Sequence, residues 1–221
     1  ANTTGGTTDG QVNLIGGSSI SISQAATINS GTASIVVDAN GGTFNSVRGS
    51  LVSSSSSDAV VIENASQVQL GNVRAELGRL RIETNALAGN VTQATGTRIV
   101  VDRLSVDSLG TVNFSNADNE FEIVERIVAG DAVSISDSSG SLVVTLIDSQ
   151  GSDVTLFTAG NLLLAAGAIK AVGATVNAFA ASAILDTRRP DDAATANITA
   201  GTLIASAGSP GIGTSTNPLV I

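Results

Sequence analysis

The chain has 221 residues, 42% of them apolar, which is enough to bury a core, and 19 acidic against 10 basic residues give it a formal charge of −9. It has no His, Cys, Met, Trp or Tyr. Imidazole bases, thiolate nucleophiles, disulfides and His- or Cys-held metals are thereby excluded, and any chemistry falls to Asp, Glu, Ser, Thr, Arg and the single Lys170. The acid excess also disfavours nucleic acid and anionic membranes as partners.

Taken from the N-terminus, residues 1–10 carry neither an initiator Met nor a charged and apolar leader, so the chain is expected to be processed or cut from a larger one. Residues 19–23, 68–70, 80–82, 112–114, 133–135 and 154–156 then alternate apolar with polar, the pattern of half-buried strands. Turn formers close them at 40–42, 137–140 and 149–153, with no room for crossover helices. The Ala-rich stretch 162–185 has Lys170 and Asn177 near its middle, which opposes a membrane span, and it is expected to form strands rather than a helix.

The strands recur at a fixed interval. Val91, Val112, Val133 and Val154 are each 21 residues apart, and each follows a glycine, at Gly89, Gly110, Gly130 and Gly151. Outward, the ladder extends to Ile22, Phe44 and Leu70 on one side and Val176 and Ile198 on the other. A second ladder runs Leu14, Val37, Ile62, Ile82, Val101, Ile123, Val144, Leu164 and Leu185. A third is suggested by Ile28, Leu51, Leu104, Val128, Ile147 and Ile169.

A coil of roughly 21 residues with two or three short strands is what a parallel β-helix needs, because each strand then pairs with its equivalent about 4.8 Å away. The expectation is an all-β fold: one β-solenoid domain over residues 1–221, of about ten coils and roughly 50 Å long. A β-sandwich of short antiparallel strands is the competing architecture.

Two charged regions interrupt the pattern. Residues 186–192 are expected to leave the coil as a protruding loop, making Arg188, Arg189, Asp191 and Asp192 candidate interaction residues. Between Arg74 and Arg126, which hold six of the nine arginines, the repeat is expected to align Arg79, Arg98 and Glu120 in one outer column and Glu83 with Asp102 in another. Both regions are weighed against ordinary solvated surface.

Catalytic motifs are missing: there is no G-x-S-x-G, no phosphate-binding loop and no dinucleotide fingerprint. Glu120, Glu122 and Glu125, or Asp191 with Asp192, are the only carboxylate groupings that suggest a glycosidase pair, and the chain lacks Trp and Tyr for sugar stacking in a cleft. Asp9 sits in one imperfect copy of a glycine-rich calcium repeat, and Thr-x-Thr columns do not recur at the coil period. No cofactor, metal or catalytic residue is expected.

Together with this period and the Ser, Thr, Gly, Ala and Asn filler, the closing run 208–219, with Gly-x-Gly-Thr-x-x-Asn-Pro-Leu at 211–219, resembles the large secreted β-strand-repeat exoproteins of Gram-negative bacteria, the filamentous haemagglutinin-like adhesins. The resemblance implies a right-handed parallel β-helix, export to the cell surface, and an adhesive or scaffolding role toward a surface glycan or protein. With no recognisable secretion domain at Ala1 and no aromatic-girdled barrel at the C-terminus, an internal segment or separately assembled subunit is expected. The alternatives are a subunit that stacks head to tail into a filament and, behind it, a polysaccharide-acting β-helix enzyme.

Overall fold

The computed structural model describes residues 10–22, 25–86, 89–188, 195–214 and 218–221. They form 21 strands and no helix, and every strand pairing is parallel. The result is a three-faced β-solenoid of about eight turns, slightly fewer than the ten that division by 21 suggests. No helix in these residues is long and apolar enough to cross a membrane.

On the first face, Leu14, Val37, Ile62, Ile82, Val106, Ile127, Ile147, Ile169 and Ile198 follow one another rung by rung. The second face carries the column Ile20, Phe44, Val68, Val91, Val112, Val133, Val154, Val176 and Leu203. The third face begins Ile28, Leu51, Val73 and Ile99, and continues nearer the C-terminus as Leu142, Leu162 and Ile184. From Leu14 to Ile198 there are 184 residues in eight steps, averaging 23, which at about 4.8 Å per rung spans ~38 Å.

The four-valine ladder is therefore a true column, and Phe44 and Val176 belong to it. Its outer members shift: the rung partners are Ile20 and Val68 rather than Ile22 and Leu70, and Ile198 lies on the first face. The early coils are 23 to 25 residues long, and a slip of two residues leaves a side chain on the same side of its strand, so alternation cannot reveal it. The second ladder is correct from Leu14 to Ile82 and then leaves that column: Val101 pairs with Phe121 on the third face, while Val144 and Leu164 continue the neighbouring first-face line of Ile35, Val60, Leu80, Leu104 and Val124. The third is correct in its steps from Ile28 to Leu51 and from Ile147 to Ile169, but Leu104, Ile147 and Ile169 lie on the first face.

The crossing has a structural cause. In the middle coils the strands Asn72–Thr84, Ile99–Ser108 and Glu120–Ala129 run from the third face onto the first without a break, and their registers shift at the bend. Nearer the C-terminus the strands Ile169–Ala180 and Ile198–Ala207 do the same from the first face to the second.

The stretch 162–185 is strand, as its phase suggests; Ala168, Ala171, Ala178 and Ala183 are buried, so the small side chains fit a narrow interior. Branched aliphatics fill the rest, and the rings of Phe114 and Phe121 meet at 6.3 Å in a tilted pair.

Corners are built from short polar side chains that bond their own backbone. Asn29, Asp38, Asn45, Asn113 and Asp148 each accept from the amide two residues on, a local turn that opens the next strand. Ser108 and Ser149 turn inward, where their hydroxyls donate to backbone carbonyls that the bend leaves free.

Coils also touch backbone to backbone. A Cβ on Gly160 would lie 1.6 Å from the carbonyl oxygen of Gly140 in the preceding coil, whereas one on Gly140 would meet nothing within 4 Å. Gly160→Ala is expected to cost about 3 kcal/mol by forcing two coils apart, and Gly140→Ala less than about 0.5 kcal/mol; paired urea melts measure the difference.

Candidate binding surfaces

Charge gathers where the third face bends into the first. Arg79 Nε donates to Asp58 Oδ1 at 2.6 Å and Nη1 to Glu125 Oε2 at 3.0 Å, which ties the coil before it to one two turns further on. Arg81 contacts Glu63 and Glu83, Arg103 donates to Asp102 and to the Ser56 carbonyl, and Arg126 pairs with Asp107. The hydrogen bond from Arg79 holds the Asp58 carboxyl below its ordinary range against the opposing effect of burial. The same bond raises Arg79. These side chains are about one third exposed, so each pair contributes at most about 1 kcal/mol, and with each of these guanidiniums facing a carboxylate the strip offers no bare cationic site.

The expected outer column is not formed as a unit. Arg98 and Glu120 do meet across adjacent rungs, and Arg98 Nε also donates to the Asp118 carbonyl at 2.9 Å. Arg79 lies on a different line, in register with Asp58 and Arg103. Glu83 stands opposite Asp107 rather than Asp102. Both departures follow from the bend inside Asn72–Thr84 and Ile99–Ser108, which breaks the constant spacing on which the alignment rests. Of the carboxylates considered as an acid and base pair, Glu120 faces Arg98 and Glu125 faces Arg79. No group of three or more acidic side chains gathers as a metal site among the described residues.

The start of the charged segment 186–192 is turned inward. Asp186 occupies the buried column below Val144 and Leu164, and its neighbour Leu185 lies against Leu163 on the outer side. Arg188 follows it in: its Nη2 donates to Asp186 Oδ2 at 2.5 Å and to Asn197 Oδ1 at 2.9 Å, and its backbone amide donates to Asp186 Oδ1 at 2.7 Å. The side chains of Arg188 and Asp186 are only 7% and 2% exposed, so Arg188 is a structural cation and not one offered to a partner. Arg189, Asp191 and Asp192 lie outside the described residues.

Burial alone would raise Asp186; the donors from Arg188 and Asn197 outweigh it and hold the carboxyl below its ordinary range. Depressed carboxylates stabilise the fold above their unfolded pKa of 3.8 and lose that contribution as pH falls through the folded value. With no His, Cys or Tyr to titrate, melting temperature is expected to be flat between about pH 5 and 9 and to fall below about pH 4, and Asp186→Asn should flatten the acid limb; melts across pH check both.

The second face differs from the other two. The residue after each inward valine points outward, giving Thr92, Asn113, Ser134, Thr155 and Asn177 on successive rungs. On the earlier rungs Thr43 Oγ1 bonds Ser19 Oγ at 3.1 Å and Asn45 Nδ2 donates to Gln69 Oε1 at 3.3 Å. The second-face parts of these strands hold no Lys or Arg, Lys170 lying at the first-face end of Ile169–Ala180, and their one acid, Asp137, is fully buried, where it accepts from the Phe121 amide and the Thr158 hydroxyl.

Two residues further along the strands, Phe157 and Phe179 are rung partners, and Phe157 is 45% exposed. This face has no Thr-x-Thr column, but two features of the sequence mark it: a polar residue after every ladder valine, and two phenylalanines 22 residues apart, one coil. Against protein-family models, curated proteins and solved structures, the chain has no match.

Proposed function

We propose that the chain is a non-catalytic adhesive and structural segment of a bacterial cell-surface or secreted exoprotein, a rod whose outer faces are its working surface. The observation that carries this is the use to which the side chains are put. Inward positions fill aliphatic columns, corner positions close their own turns, and the described arginines other than Arg48 are each paired with a carboxylate. What remains free for function is extended, regular surface. The resemblance to the β-strand-repeat exoproteins supports the same reading.

The test is retention of beads coated with the purified chain on bacterial and host-cell surfaces, beside beads coated with an unrelated acidic protein. Selective retention supports adhesion and equal retention overturns it. Release of new reducing or unsaturated ends from acidic polysaccharides, lost on Glu120→Gln or Glu125→Gln, would replace this reading with the enzyme.

A second reading, the head-to-tail filament, is favoured by one observation. Among the described strands, those of the first rung, Val12–Ile15, Ser19–Ser21 and Thr27–Asn29, pair with one strand only, as does Ile198–Ala207 at the other end, where the Val220 carbonyl covers only the start of the outer edge at Ile198. Leu14, Ile20, Ile28 and Leu203 are accordingly only half buried. Such edges invite pairing with further strands. Electron microscopy at increasing concentration separates the two: fibres of the solenoid's width support the filament, and uniformly short rods exclude it.

A further inference from the structure

We propose that the second face is the docking surface of this rod and that its occupant is an uncharged polysaccharide laid along the solenoid axis. The inference deepens the adhesive reading above and rests on it.

Charge sets the class of occupant. The ion-paired arginines from Arg74 to Arg126 lie along the third and first faces, while the outward positions of the second-face strand segments are hydroxyls, carboxamides and a few apolar groups. A polyanion or polycation finds no counter-charge there, and its own charges would lose water without compensation. Sugar hydroxyls both donate and accept, and so do the side chains of Thr92, Asn113, Ser134, Thr155 and Asn177.

The aromatic residues set the position. The chain has five phenylalanines; Phe44, Phe114 and Phe121 are buried, whereas Phe157 and Phe179 face outward on adjacent rungs of this one face. Nothing in the core requires a ring at either place. Outward rings beside Thr155 and Asn177 offer apolar surface on two successive rungs to the C–H faces of pyranose rings, while neighbouring hydroxyls bond the polar column.

The period fits as well. Equivalent groups recur about every 4.8 Å along the axis, close to the length of one sugar in an extended β-linked chain, so successive sugars meet successive rungs in similar positions. A second copy of the protein fits less well, because the apolar part of the face is confined to these two rings and Ile204 on the next rung, much less than a stable protein interface buries.

The experiment is affinity electrophoresis of the whole chain in gels containing dextran, galactomannan, xyloglucan or mixed-linkage β-glucan, with polygalacturonate as the charged comparison. The expected result is retardation by at least one neutral polymer, equal at low and high salt, and weakened about tenfold in Phe157→Ala/Phe179→Ala. Thr155→Arg, outward and without a packing role, blocks the same strip and keeps the test decisive if the ring variant folds poorly. Arg74→Ala/Arg98→Ala on the third face leaves retardation unchanged.

The proposal is overturned if no neutral polymer retards the chain, if the ring and Thr155 variants behave as the parent does, if only polygalacturonate acts and salt abolishes it, or if the rings prove to drive self-association. Bead adhesion without neutral-polymer retardation removes this inference and leaves the adhesive reading standing; loss of both removes both.

Discussion

Val112→Asp is expected to leave the chain unfolded, or nearly so, at ambient temperature. Val112 is fully buried and stacked between Val91 in one coil and Val133 in the next, so a carboxylate placed there has neither water nor a cation within the column. Burying such a group without a partner costs several kcal/mol, against a total stability of about 5 to 15 kcal/mol for a domain of this kind. Position adds to chemistry. Each coil of a solenoid is stabilised mainly by its two neighbours, and Val112 lies in the fifth of the nine rungs, so its failure separates the two halves of the rod. Two comparisons isolate the cause. Val112→Ala, which removes volume without adding charge, should cost about 2 kcal/mol. Asn113→Asp, one residue on and facing outward, should cost less than about 0.5 kcal/mol. Urea denaturation followed by circular dichroism gives all three, and a Val112→Asp variant that melts with the parent removes the column assignment.

The contrast between adjacent positions also marks what the sequence alone can convey. From Val91 to Val154 coils are of constant length, alternation is strict, and the stack is read from spacing alone. Where coils lengthen, as between Ile20 and Val68, the in-or-out character of each residue survives but the identity of its rung partner does not, because slips of two are silent. Where a strand bends around a corner, even the face is lost: Val101 reads as the successor of Ile82, yet Ile82 pairs with Val106. Site-level expectations inherit these limits. Arg98 and Glu120 are found although Glu120 stands opposite Val100, because the long guanidinium side chain reaches the diagonal neighbour two positions along, and Arg79 is misplaced because the bend at 76–79 lies between it and the third face. Phe157 and Phe179 lie in the regular part of the chain, three residues after Val154 and Val176, so the same ladder that marks the inward valines marks them as outward rung partners.

Asp186 is the deepest departure, and the largest remaining prediction rests on it. The ladder's step of 21 from Leu164 makes Leu185 inward and leaves the charged residue at 186 in solvent, but the coil is one residue longer, and the strand Ile184–Asp186 pairs so that Leu164 stacks on Asp186 and Leu163 on Leu185. The carboxylate is kept in the column by Arg188, whose guanidinium also bonds Asn197, itself fully buried and donating to the carbonyls of Leu164 and Ala165. Arg188→Met retains much of the side-chain volume and removes the charge, which leaves Asp186 buried and without its cation and deprives Asn197 of a donor. Breaking a buried pair from one side costs about 3 to 5 kcal/mol, several times the value of the exposed Arg98–Glu120 pair. The double variant Asp186→Leu/Arg188→Met removes both charges and should recover most of that loss, since a leucine below Leu164 continues the column. The pH dependence gives an independent check. In Arg188→Met the Asp186 carboxyl loses its strongest donors while its burial remains, so its pKa rises and this variant, unlike the parent, should gain stability relative to pH 7 as the solution is acidified toward about pH 5. A variant that melts like the parent, with the same acid limb, would show that Arg188 is solvated after all and that the segment begins as an open loop at Asp186.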